Sequence, residues 1–187
     1  MARSDGQVRQ YLSRVTRDVH EALHVDPVLR PLRAPGLTLS AYHAALGAFG
    51  TFYQMVEANR RRLGVYEGFA LQDACDALRE DAPHTIETSP CAPLFHTAPE
   101  VLGALYVAHG ASFGRGTFRK NAMSHLPSHP HRFVQLPPDP SRWQALIAEL
   151  DRVGACNTQL GQIETGAQAA FRFMRASTRQ KGDPEVA

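Results

Sequence analysis

The sequence predicts an all-α fold, a single-domain compact helical bundle. Apolar residues recur at spacings of three and four along most of the chain. No stretch alternates apolar and polar residues in the manner of a half-buried strand, and no internal repeat points to a solenoid. At 187 residues the chain is long enough for one hydrophobic core to bury roughly two-thirds of its unfolded surface without a metal or disulfide staple.

Val8, Leu12, Val15, Val19, Ala22 and Leu23 predict an amphipathic helix over residues 5–24, with Asp5 placed to cap it and Asp26-Pro27 to end it. After Pro31, Pro35 and Gly36, either Thr38 or Ser40 caps a longer pattern through Tyr42, Leu46, Phe49, Phe52, Tyr53, Val56 and Leu63. A shorter helix is predicted over 68–79, followed by a segment punctuated by Pro83, Pro90, Pro93 and Pro99. Periodicity returns from Glu100 to about Lys120, in a helix that also carries Gly103, Gly110, Gly114 and Gly116. The prolines between Pro127 and Pro140 predict irregular chain. One long helix then runs from a Ser141 cap through Trp143, Leu150, Ile163 and Phe171 to Met174. The ordered core spans 5–176, and the tail from Thr178 is expected to fray.

Composition removes several function classes. Hydrophobic residues make up 43% of the chain and charged residues 20%, too apolar for disorder, and no apolar run is long enough to span a membrane. The formal net charge of +2 is no footprint for a nucleic acid. All of the basic residues except Lys120 and Lys181 are arginine. The N-terminus lacks a signal-peptide core, so a cytoplasmic protein is expected. Cys75, Cys91 and Cys156 form no C-x-x-C pair and fit neither a disulfide framework nor a thiolate zinc site. The 9 histidines are the unusual stock, being both proton carriers and metal ligands.

Three segments hold candidate chemistry. His20 sits roughly 80° from the Leu12 to Val19 stripe of the first helix, on the flank that carries Thr16, where it faces a cleft or bonds to a neighbour. His24 follows one turn later, so the two could clasp a divalent metal. Glu21-x-x-His24 resembles half of a di-iron helix motif, but no second Glu-x-x-His exists to complete it. The second segment runs from Leu105 to Phe118. Its glycines each cost about 0.8 to 1 kcal/mol of helix propensity, so close approach of a helix or of a flat ligand should compensate. Gly110 and Gly114 lie one turn apart on one face. The third, Ser124 to His131, supplies three histidines in a Pro-rich loop expected to be solvated. A phosphate loop lacks its Gly-Lys-Ser/Thr, and no elbow motif supports a serine hydrolase.

Two of these segments together resemble the heme oxygenase family, in its bacterial, biliverdin-forming branch. Leu12-Ser13-Arg14-Val15-Thr16-Arg17-Asp18-Val19-His20 is similar to the family's opening motif, which ends on the proximal histidine that ligates heme iron. Leu102-Gly103-Ala104-Leu105-Tyr106-Val107-x-x-Gly110-x-Ser112-x-Gly114 resembles the distal helix, which bends over heme through glycines. Ala167-Gln168-Ala169-Ala170-Phe171 echoes the late-helix Ala-Phe beside the distal pocket.

The resemblance implies a heme oxygenase-type bundle. It implies that His20 is the axial ligand and that Thr16, Arg17, Gly110, Gly114 and Phe171 bind heme. Gly110, Ser112 and Gly114 would form the catalytic distal surface. Arg17 would meet a heme propionate, a task that Arg119, Lys120 or Arg142 could share. The implied reaction uses O2 and electrons to open the macrocycle to biliverdin, carbon monoxide and iron, so heme is both cofactor and substrate. A ferredoxin or a flavoprotein reductase would be the donor, and a bilin-binding photoreceptor a possible acceptor of the product. The chain departs from the family pattern at four places. His24 replaces an acid that orients the proximal ring, and His109 replaces an acid before the first glycine. Arg115 replaces a second consecutive glycine, and would point out of the pocket or reach a propionate. Ala111 offers no distal carboxylate. The competing readings are a heme carrier on the same fold and a non-heme relative such as a thiamin-salvage hydrolase or a metal oxidase.

Overall fold

The computed structural model describes residues 6–84 and 93–182, and every element in it is helical. Asp5, Pro90 and Cys91 lie outside the described residues. The predicted first helix is two: α1 (Gln7–Val15) and α2 (Arg17–His24) are separated at Thr16, whose φ of −107° and ψ of 6° leave the helical region. Thr16 Oγ1 donates to the Leu12 carbonyl at 2.7 Å, a back-bond that bends helices. The start of α1 is capped from a distance, because Asp151 accepts from Gly6 N at 2.5 Å and Val8 N at 2.9 Å.

The long aromatic pattern becomes α3 (Leu39–Leu63), capped by Thr38, not Ser40, and closed by Gly64 in the left-handed conformation. A tight turn at Glu67–Phe69 precedes α4 (Gln72–Asp81), so the helix expected over 68–79 begins later and runs two residues further. Buried Glu57 of α3 accepts from Leu71 N at 3.0 Å and anchors that start.

The glycine-bearing helix is also divided. α5 (Ala98–Gly110), opened by a Thr97/Glu100 capping box, leads through a 3-10 turn at Ala111–Gly114 into α6 (Arg115–His125). The segment expected to be irregular contains the short α7 (Arg132–Gln135). Its first N–H groups donate to buried Asp81, from Arg132 N at 2.9 Å and Phe133 N at 2.8 Å, a long-range cap that local sequence does not reveal.

The predicted single C-terminal helix is broken into α8 (Pro140–Val153), capped by Asp139 instead of Ser141, and α9 (Asn157–Gly182). The break falls at Gly154, where a Cβ would lie 2.7 Å from Val8 and 2.9 Å from the Leu150 carbonyl. Nor does the chain fray at Thr178. That residue is buried, with Oγ1 2.8 Å from Asp26 Oδ2, so α9 is tied to the end of α2.

α5 packs along α9, and α3 lies against both. Tyr42, Phe52, Tyr53, Leu102, Leu105 and Phe133 are fully buried at the centre. Two glycines set the α5–α9 spacing. A Cβ on Gly103 would stand 2.0 Å from the Ile163 carbonyl oxygen, and one on Gly166 would stand 2.0 Å from that of Glu100. Gly103→Ala should therefore force the helices apart and cost about 3 kcal/mol or more. Urea denaturation that finds a loss under about 1 kcal/mol would refute this contact.

Candidate functional site

The crossing of α5 and α9 leaves a cavity of about 390 Å³ beside α2, within the usual size range of small-molecule sites. One wall is α2, with His20, Leu23 and His24. The end of α5 and its turn contribute Tyr106, Gly110, Ala111, Phe113 and Gly114 to the lining. Phe49 and Phe52 come from α3, and Phe171 and Met174 from α9.

His20 Nε2 lies 3.4 Å from Nε2 of His24. The His20 ring also stands edge-on to Phe171, with centroids 6.0 Å apart. Arg33 lines the cavity, contacts Nδ1 of His24 through NH1, and places its guanidinium carbon 5.2 Å over the Phe118 ring. Burial holds the His24 pKa below the usual histidine value, and the Arg33 and His20 charges add to this against a smaller opposing pull from Glu21.

The glycines divide by role. Gly103 and Gly166 carry the close helix packing, whereas a Cβ on Gly110 would meet only the Trp143 ring, at 3.7 Å, and one on Gly114 only Phe118, at 3.9 Å. Both Gly110 and Gly114 have right-handed backbone angles, so no turn requires them. What they contribute is bare backbone facing the cavity. Trp143 closes that side, stacked on Tyr106 and edge-on to Phe113.

The other sequence candidates are placed as follows. Thr16 is buried at the α1–α2 junction, bonded to Leu12. Arg17, Arg119 and Lys120 are exposed, and Arg142 pairs with Asp139 at 3.7 Å. Among the described residues the cation on the cavity wall is Arg33, which no helical periodicity marks. Phe49, Trp143 and Met174 likewise read as ordinary core positions in the sequence. Ser112 Oγ donates to the His109 carbonyl at 2.7 Å. Contrary to the expectation that no elbow motif occurs, Gly110-x-Ser112-x-Gly114 has the spacing of one, but it joins helix to helix with no strand before it, and Ser112 bonds to a carbonyl rather than an imidazole.

Arg115 turns away from the cavity into the core. Its NH2 donates to Tyr53 Oη at 2.9 Å, its guanidinium carbon lies 4.5 Å over the Phe133 ring, and Nε has no hydrogen-bond partner. Tyr53 Oη in turn donates to the Ala108 carbonyl at 2.8 Å, supporting the backbone where α5 ends. His109 also points elsewhere, with Nε2 3.0 Å from the Phe69 carbonyl. In the Pro-rich loop, His131 is buried against Tyr42, and His129 Nε2 lies 2.9 Å from that of His43. No group of three metal-ligating side chains occurs among the described residues.

No family model and no curated protein matches the chain by sequence. Its structure does match a solved one, the NO- and CO-bound heme oxygenase from Neisseria meningitidis. The TM-score is 0.73 over 96% of this chain and 94% of that one, at 20% identity. The fold is that of a heme oxygenase. No helix among the described residues of this heme oxygenase fold is long and apolar enough to cross a membrane.

Burial pushes the His109 pKa down more strongly than its bond to the Phe69 carbonyl pulls it up. His24 and His43 are also shifted down, His43 chiefly by burial and then by His129 and His84. A depressed folded-state pKa means that the unfolded chain binds protons first as pH falls. Stability is therefore complete above the ordinary histidine value of 6.5 and declines below it, towards the folded-state values. Urea midpoints measured between about pH 7.5 and 5 should fall with pH, and His109→Gln should flatten part of that slope.

Proposed function

We propose that this chain is a heme oxygenase of the biliverdin-forming type. The observation that carries the reading is a single apolar cavity lined both by His20 and by the bare backbone of Gly110 and Gly114. A flat, largely apolar macrocycle with an acidic edge fits that lining: the imidazoles of His20 and His24, glycine backbone without side chains, aromatic surfaces and one cation. Bound heme would supply the iron that activates O2 and the ring that is opened to biliverdin, carbon monoxide and iron.

The protein's part is positional. His20 would hold the iron through its imidazole nitrogen, and Phe171 limits rotation of that ring by standing edge-on to it. Gly110 and Gly114 would leave space for a small diatomic beside bound heme, in a lining made apolar by Trp143, Phe113 and Tyr106. Ser112 keeps its hydroxyl tied to the His109 carbonyl and stabilises the turn. Arg33 is placed to meet a propionate, with Arg17 available at the surface. Electrons would come from a ferredoxin or a flavoprotein reductase, and a cytoplasmic setting suits both. A bilin-binding photoreceptor is a possible acceptor of the product.

Hemin titration of the purified protein should give a saturable Soret shift at one equivalent. Adding reductant and O2 should then bleach that band while the broad red absorbance of biliverdin grows. A Soret band that persists under these conditions makes the protein a heme carrier, and no saturable shift at all removes heme from its function. Gly110→Leu should leave the fold intact, because only the Trp143 ring is near, and should lower CO affinity of the ferrous complex by about tenfold or more, as one lost or obstructed contact of ~1.4 kcal/mol would. Unchanged CO binding would mean that Gly110 does not face the ligand side.

A further inference from the structure

We propose that Arg33 selects the iron ligand by fixing the tautomer of His24, so that of the two histidines on the α2 wall only His20 presents a nitrogen lone pair to the cavity. The proposal rests on the reading of this cavity as a heme site. Arg33 NH1 contacts Nδ1 of His24. A guanidinium has donors and no acceptor, so His24 Nδ1 must be the acceptor. A neutral imidazole carries one N–H and one lone pair, which makes Nε2 of His24 the N–H. A doubly protonated ring would set N–H against N–H at Arg33.

Among the described residues the His24 N–H meets Nε2 of His20 at 3.4 Å, with the two rings inclined at 75°. The bond therefore runs from His24 to His20, and His20 Nε2 bears the lone pair. Arg33, His24 and His20 are solvent-exposed, and the Arg33 guanidinium is held on the Phe118 face, 5.2 Å from the ring centroid. Two histidines one turn apart on one wall are thereby made chemically different. Nε2 of His24 has nothing to give a metal, whereas Nε2 of His20 gives up one weak hydrogen bond when it coordinates. The same argument disfavours a divalent ion held between both Nε2 atoms, since that needs two lone pairs where Arg33 permits one. Arg33 is thus a positioning residue acting through His24.

The test has two readouts. In ligand-free protein with nitrogen-15-labelled histidine, long-range proton–nitrogen correlation should show His24 protonated at Nε2. Arg33→Leu should give a mixture of both tautomers, and Arg33→Lys, which keeps a donor, should restore the single form. In hemin-loaded protein, electron paramagnetic resonance of the ferrous nitrosyl complex reports the axial nitrogen. His20→Ala should lose that signature, His20→Ala with Arg33→Leu should regain it, and adding His24→Ala should abolish it again. The proposal is overturned if His24 is protonated at Nδ1, if His20→Ala alone retains a His24-dependent signature, or if the double variant fails to regain one. If the tautomer is as stated but wild-type protein takes up no hemin, the heme reading fails while the Arg33–His24 assignment stands.

Discussion

The contact between α5 and α9 governs the rest of the molecule. At Gly103 and Gly166 the two backbones approach so closely that a single methyl group on either would overlap the carbonyl of the other helix. Such proximity gains dispersion and excludes water along the whole crossing, in a core that cannot absorb an added methylene without strain. It also fixes where each helix ends. Gly110 and the turn after it line the cavity together with Phe171, each a fixed distance along its helix from that crossing. Helix propensity given up at the glycines is recovered in two ways, through packing at Gly103 and Gly166 and through open space at Gly110 and Gly114.

Polar side chains placed far away in sequence complete the frame. Asp151 caps α1, Glu57 anchors the start of α4, Asp81 caps α7, and Asn59 accepts from Leu94 N and Phe95 N before α5. Each is buried or partly buried, and each neutralises backbone N–H groups that would otherwise be desolvated without a partner. Burial works to raise the Glu57 pKa, yet bonds from Arg60 and Leu71 N and the charges of Arg60 and Arg61 outweigh it and hold the carboxylate ionised. Arg115 is buried as well, but is held differently. Aromatic faces and one phenol hold it instead, and through Tyr53 it steadies the end of α5 next to the cavity.

Helix content, the α2 histidine pair and the unusual glycine run were all legible in the sequence, because local periodicity and the cost of glycine in a helix are local quantities. Boundaries were less so. Thr16 and Gly154 sit inside continuous apolar patterns, and what breaks the helices there is a side-chain back-bond in one case and contact with Val8 in the other. α7 was hidden because its cap, Asp81, lies some fifty positions earlier, at the end of α4.

The sequence by itself determined that the chain is helical, that His20 and His24 share one flank of a helix, and that Gly110 and Gly114 share another. These follow from residue spacing and need no knowledge of what packs where. Only the tertiary structure decided that the two flanks line one apolar cavity, that Arg33 lies on its wall, and that Arg115 and His109 turn away from it. Periodicity specifies which face of a helix a residue occupies. The partner of that face depends on contacts between elements distant in the chain, here the close crossing at Gly103 and Gly166.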